Sequence, residues 1–334
     1  MLESLLSWLI RLLVSLILNV AAPVMTLDSV EQVDAYPLYV MHYYGAVDRN
    51  IAIAERLSAQ TTLPAPATNT HDAPAWGCSL FAAFADPANA LYGRNFDWQY
   101  SPALLLVNHP PDGYESVAMV DLAYLGFASE SRARSIMDLP LSERRDLLYT
   151  PYLPFDGMNK MGLAIGMAAV SPSATPTDPN RPTIGSLGIM REVLDHAATL
   201  DEAITIFEQF NIDMGDGPPI HYLIADMHGD SALIEFYQGD MVVQRSTDQA
   251  WDMATNFIRA SVTSGQPESH CWRYAEISAQ LTASAGIITP DAALTLLSEV
   301  AQSNTQWSVV YSMGTGEVYV AMNRQYNQVY SFRP

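Results

Sequence analysis

Cysteine is scarce in this sequence: two residues, Cys78 and Cys271, stand in 334. Two are too few for a disulfide scaffold or a four-ligand zinc site, although a single bridge between them stays open. Basic residues are scarce as well. Sixteen Lys and Arg against 36 Asp and Glu leave a formal net charge of −20. Such a surface repels phosphate backbones, so no nucleic acid is expected as a partner. The seven histidines form no HxxxH or HxH pair, so no metal is expected, and nothing calls for an organic cofactor. An uninterrupted membrane-length apolar run is also missing, because Arg11 breaks residues 2–18. What remains is 49% hydrophobic and 16% charged, which is material for one large globular core or two modest ones.

The apolar start has two readings. Ser4, Ser7, Arg11, Ser15 and Asn19 recur every three or four residues and draw a polar stripe along an apolar helix. Residues 1–25 are then either an export signal or an amphipathic helix that brings residues 2–18 to a membrane surface. Either way the expected place is exported or membrane-associated, with the cytoplasm as the alternative. Residues 60–76 hold three prolines among small polar residues and read as a linker ending at Trp76-Gly77-Cys78. The chain therefore divides into residues 1–25, a segment 26–77 and a main domain 78–334.

Strand patterns fall at Ser79–Ala85, Ala90–Trp98, Ala103–Asn108, Ser116–Phe127 and Met161–Val170. Others fall at Ile220–Ala225, Ala232–Tyr237, Met241–Arg245, Ser308–Met313 and Glu317–Met322. Helical periodicity marks Ile184–Ala198, Asp201–Phe210, Ser269–Ala283 and Asp291–Gln302, with caps at Thr199 and Thr289. Strands and helices in separate groups predict an α+β architecture, with antiparallel sheet between helices.

The sharpest chemistry lies at the first two strands. A hairpin turning at Pro87-Ala88 pairs residues whose numbers sum to 175, which sets Cys78 opposite Asp97 with Asn95 on the same face. Arg94 would then point to the other face unless a bulge near Gly93 brings it back. Cleavage of the Gly77–Cys78 bond would give Cys78 a free α-amine, whose pKa of about 7.7–8.0 suits a base at neutral pH. One residue would supply nucleophile and base, with Asp97 orienting the ammonium and Arg94 favouring the thiolate. Glycine at position 77 leaves the scissile carbonyl open and tolerates a strained backbone.

Gly77-Cys78-Ser79 followed by Gly93-Arg94-Asn95-Phe96-Asp97-Trp98 resembles the nucleophile hairpin of the choloylglycine hydrolase group. That group includes bile salt hydrolases, penicillin acylases and acyltransferases, N-acylethanolamine acid amidase and acid ceramidase. Asp156-Gly157-Met158-Asn159-Lys160-Met161-Gly162-Leu163 resembles a second segment of that group, and Ala254-Thr255-Asn256 a third. Arg273, in Cys271-Trp272-Arg273-Tyr274, resembles a last arginine near the site. The resemblance implies the four-layer αββα sandwich of N-terminal-nucleophile (Ntn) hydrolases. It implies self-cleavage before Cys78, and oxyanion donors at Asn159 and Asn256. It also implies a small-molecule N-acyl amide as substrate, and a propeptide retained as a small subunit. An acyltransferase on the same site, or a non-catalytic binding protein on the same fold, stays open beside it.

Overall fold

The computed structural model describes residues 21–47, 77–171, 175–215, 217–247, 249–262 and 266–334. The apolar segment 2–18 and the linker 60–76 lie outside the described residues.

Two sheets face each other. The larger runs β1 (Glu31–Asp34), β2 (Leu38–Tyr44), β5 (Ala103–His109), β6 (Ser116–Asp121), β7 (Asp156–Asn159), β8 (Ala164–Ala169), β11 (Ile220–Ala225), β12 (Ser231–Tyr237), β13 (Asp240–Arg245). The smaller runs β14 (Trp251–Ala254), β3 (Gly77–Ala83), β4 (Leu91–Asp97), β15 (Thr305–Ser312), β16 (Val318–Met322), β17 (Val329–Phe332). Within these two sheets every neighbouring pair is antiparallel except β2 with β5, which run parallel. A short parallel pair, β9 (Thr183–Gly185) and β10 (Asn211–Asp213), lies apart.

Helices cover the outer faces. α1 (Gly188–His196) and α2 (Leu200–Glu208) pack on the larger sheet, α3 (Trp272–Ala283) and α4 (Pro290–Glu299) on the smaller. This is the four-layer αββα sandwich. Strand alternation sets the layers: Leu80, Ala82 and Tyr92 point into the inter-sheet core, while Phe81, Ala83 and Leu91 point to α3 and α4. The sheets touch where a side chain is missing. A Cβ on Gly166 would stand 2.7 Å from Tyr92 Oη and 2.8 Å from Leu80 Cδ2.

Local chemistry explains where elements begin and end. The Thr199 hydroxyl accepts the Glu202 amide at 3.3 Å, and the Glu202 carboxylate reaches back to the Ala198 amide at 2.6 Å. Thr289 caps α4 by accepting from the Ala292 amide. The strand expected over Ser116–Phe127 stops at Asp121, whose carboxylate accepts the Ala123 amide and starts a 3₁₀ turn, Leu122–Leu125. The helix expected from Ile184 begins only at Gly188, because Thr183–Gly185 pairs with Asn211–Asp213.

Residues ahead of Cys78 belong to this architecture. β2 lies between β1 and β5, and its Leu38, Tyr39 and Met41 are fully buried.

Candidate active site

β3 and β4 pair Gly77 with Asp97, Cys78 with Phe96, Ser79 with Asn95 and Leu80 with Arg94. The numbers sum to 174, one less than the sequence suggested. The cause is the turn. Asp86 caps a 3₁₀ turn, Pro87–Asn89, and the connection centres on Pro87 instead of on the Pro87–Ala88 bond. A one-residue slip exchanges the faces of a strand. Arg94 therefore shares the inner face with Cys78 and needs no bulge at Gly93. Asn95 and Asp97 turn to the outer face, away from the side where the thiol points.

The Cys78 thiol lies 4% exposed under Arg94, whose Nη2 is 3.6 Å from Sγ. Arg94 is itself fully buried, and its Nη1 donates to Asp156 Oδ2 and to the Phe155 carbonyl, both at 2.5 Å. Asp156 also accepts from Tyr311 Oη at 2.5 Å and from Trp307 Nε1 at 3.5 Å. Burial works against the Arg94 charge, but Asp156 and Cys78 beside it more than offset that and hold the guanidinium protonated. Burial pushes the Cys78 thiol up, and Arg94 pulls against that. The buried sulfur is thus favoured as a thiol, with a cation aimed at it.

The backbone of Cys78 is gripped from the other side. Its amide donates to Asn256 Oδ1 at 2.7 Å, and its carbonyl accepts from Arg273 Nη1. Arg273 also donates to Ser79 Oγ at 2.9 Å and to Asn256 Oδ1 at 2.8 Å. The Asn256 amide group in turn donates to the Ala169 carbonyl at 2.8 Å. Arg273 approaches Asp97 to 3.8 Å. Thr305 and Gln302 donate to Asp97 at 2.5 and 2.7 Å, yet burial still pushes its carboxyl up. Gly77 is crowded: a Cβ there would stand 2.0 Å from Gln302 Nε2.

Cys78, Arg94, Asp97, Asn256 and Arg273 thus meet at one end of the hairpin. Asn159 does not join them. Its Nδ2 donates to the Leu194 and Ala197 carbonyls at 3.1 and 2.7 Å, and its Oδ1 accepts from the Met161 and Leu163 amides at 3.0 and 3.2 Å. With both Nδ2 hydrogens given to carbonyls, Asn159 has none left for an oxyanion, and it locks the β7–β8 turn onto the end of α1. Cys271 precedes α3, partly buried, and both cysteines are free thiols. Among the described residues no group of three or more His, Cys, Asp or Glu could hold a metal.

Asp156 is the member of the site that the sequence did not single out. The available signal was Arg94 itself. A buried guanidinium requires a carboxylate, and the Asp156-Gly157-Met158-Asn159 segment begins with one.

Residues 154–297 match a protein family described as acyl-coenzyme A:6-aminopenicillanic acid acyl-transferase. The matched stretch contains Asp156, Asn159, Asn256 and Arg273, and lies wholly after the nucleophile hairpin. Among solved structures, the chain is similar to penicillin V acylase from Agrobacterium tumefaciens, at 17% identity and a TM-score of 0.50, covering 73% of this chain and 83% of that one. It is also similar to a variant of conjugated bile acid hydrolase from Clostridium perfringens, at 15% identity and a TM-score of 0.54, covering 77% of this chain and 92% of that one. The likeness to these solved structures is one of fold, the layered fold of Ntn hydrolases, and the family match covers residues 154–297 of this chain. In the smaller sheet β3, with Cys78 as its second residue, lies between the edge strand β14 and β4.

Proposed function

We propose that this Ntn-fold protein cuts itself before Cys78 and then uses Cys78 to hydrolyse a linear, non-peptide amide. The observation that carries the reading is the double grip on one residue. Arg94 faces the sulfur, while Asn256 and Arg273 hold the nitrogen and carbonyl of the same Cys78.

In the first step the Cys78 sulfur attacks the Gly77 carbonyl and the C–N bond breaks, leaving a thioester and a free α-amine. Water then hydrolyses the thioester and releases the Gly77 carboxylate. In turnover the thiolate attacks the substrate carbonyl. The α-ammonium protonates the departing amine, and the resulting α-amine activates the water that frees the acid. Asn256 Oδ1 already accepts from the nitrogen that becomes this amine, which supports a preset orientation for the base. Of the two asparagines expected at the oxyanion, Asn256 keeps that role. One such donor is worth about 2.7–4 kcal/mol.

The placement of β2 supports a retained small subunit, because it is a buried strand on the far side of the proposed cut. The apolar segment 2–18 supports export or contact with a membrane surface, and with the latter a fatty-acyl amide.

Intact mass spectra of the wild type and of Cys78→Ala, at mildly acidic and neutral pH, test the reading. The wild type should yield a fragment beginning at Cys78 and the variant should stay whole. A wild type that stays whole under every condition overturns self-processing. Acyl transfer to an amine is the second reading, favoured by the transferase named in the matched family. Product analysis with and without an added amine separates it from hydrolysis.

A further inference from the structure

His221 is the only buried histidine among the described residues, and it stands opposite a buried carboxylate. Its Nδ1 lies 3.0 Å from Glu235 Oε1, with side chains 1% and 0% exposed. A carboxylate only accepts, so the ring hydrogen is assigned to Nδ1. Glu235 takes three more donors: the Arg259 amide at 2.7 Å, the Ala260 amide at 2.7 Å and Gln244 Nε2 at 2.8 Å. Burial pushes the Glu235 carboxyl up, but His221 and the two amides outweigh it and hold the carboxyl below the usual glutamate range.

Two of those donors are the backbone of a turn. The chain leaves β14 at Ala254, passes Thr255 and Asn256, and reaches Arg259 and Ala260 three and four residues after Asn256. The Arg259 side chain is held as well, by Asp252 Oδ1 at 2.6 Å and Gln244 Oε1 at 2.8 Å. Beside Cys78 and Arg273, Asn256 is anchored by the Ala169 carbonyl. Ala169 pairs with Ile220, the residue before His221. The His221–Glu235 pair thus stands on β11 and β12, next to β8, which carries Ala169, and Glu235 grips the turn that follows Asn256.

We propose that Glu235, oriented by His221, is a positioning residue that holds Asn256 against the backbone nitrogen of Cys78. A buried carboxylate with four donors fixes the 256–260 segment in one place. Asn256 can then accept from the Cys78 nitrogen and donate to Ala169 together. The inference rests on the self-processing reading for its kinetic consequence alone.

The test uses the full chain with Cys78→Ala, which stays uncut, followed by hydrogen exchange with and without Glu235→Gln. Exchange of the amides at 254–262 and at residue 78 should speed up about fivefold or more, while β4 and β15 keep their protection. In the chain that keeps Cys78, the same change should slow formation of the fragment beginning at Cys78 about tenfold or more. Gln244→Leu loosens the same carboxylate from the rim of the sheet, and should show the same local pattern at smaller size if Glu235→Gln fails to fold. Unchanged exchange at 254–262 and at residue 78, or equal loosening throughout both sheets, overturns the proposal. If the wild type never cuts itself, self-processing has failed, and the exchange measurement still decides on Glu235.

Discussion

Arg94 has no access to solvent, and its charge is spent on Asp156 and one carbonyl before it reaches the sulfur. The residue types around Cys78 were legible in the sequence because the hairpin is short and carries them in order. Their faces were not legible, because one residue of register decides the face and the capped turn at Pro87 decides the register. The surroundings of Asn159 were not legible for a different reason. A turn motif shows that an asparagine is required but not where its amide hydrogens go, and here they go to helix carbonyls. A second buried acid carries a separate prediction. Asp121 is fully buried, one oxygen accepts the Ala123 amide, and burial pushes its carboxyl up to about 7. The folded state then keeps a proton that the unfolded chain releases near pH 3.9. The stability from that proton is whole below about pH 4 and is lost as pH rises through about 7, on the order of 4 kcal/mol in all. Asp121→Asn should therefore melt higher than wild type at pH 8, with the difference vanishing at pH 4. Melting temperatures across that range check it, and a constant difference would refute the assignment.

Helices were the most legible elements, since capping is written locally: Thr199 with Glu202, and Thr289 ahead of Pro290, mark two starts to within a residue. Long strands such as Ile220–Ala225 were legible from their apolar runs. Short strands were not. β7, β9, β10 and β14 hold three or four residues each, and they are extended because a neighbour is there to pair with them. No local pattern announces such a partner. Gly166 belongs at this scale too. It lies in the middle of β8, where the opposite sheet arrives as Tyr92 and Leu80. Gly166→Val should force those side chains aside and cost about 1–3 kcal/mol. Denaturant unfolding should show a lower midpoint with an unchanged slope, and an unchanged midpoint would mean that the sheets have room to part.

For the molecule as a whole, the sequence pointed to layers and to a division at Cys78. Those layers stand, and the strands before Cys78, β1 and β2, pair into the larger sheet. After cleavage the segment carrying β1 and β2 should remain attached. Native size-exclusion of the cut protein should give one peak, and the same sample should resolve into two chains under denaturing conditions. Two peaks under native conditions would show that the pairing of β2 with β5 does not hold the pieces. That pairing also bears on how the protein can be produced. β5 reads ALLLVNH, has no proline and buries six of its seven residues. A polypeptide begun directly at Cys78 would offer this strand bare, as a template on which other chains can add. The segment before Cys78 would then serve as a solubility guard during synthesis, and recombinant material made without it should collect in inclusion bodies.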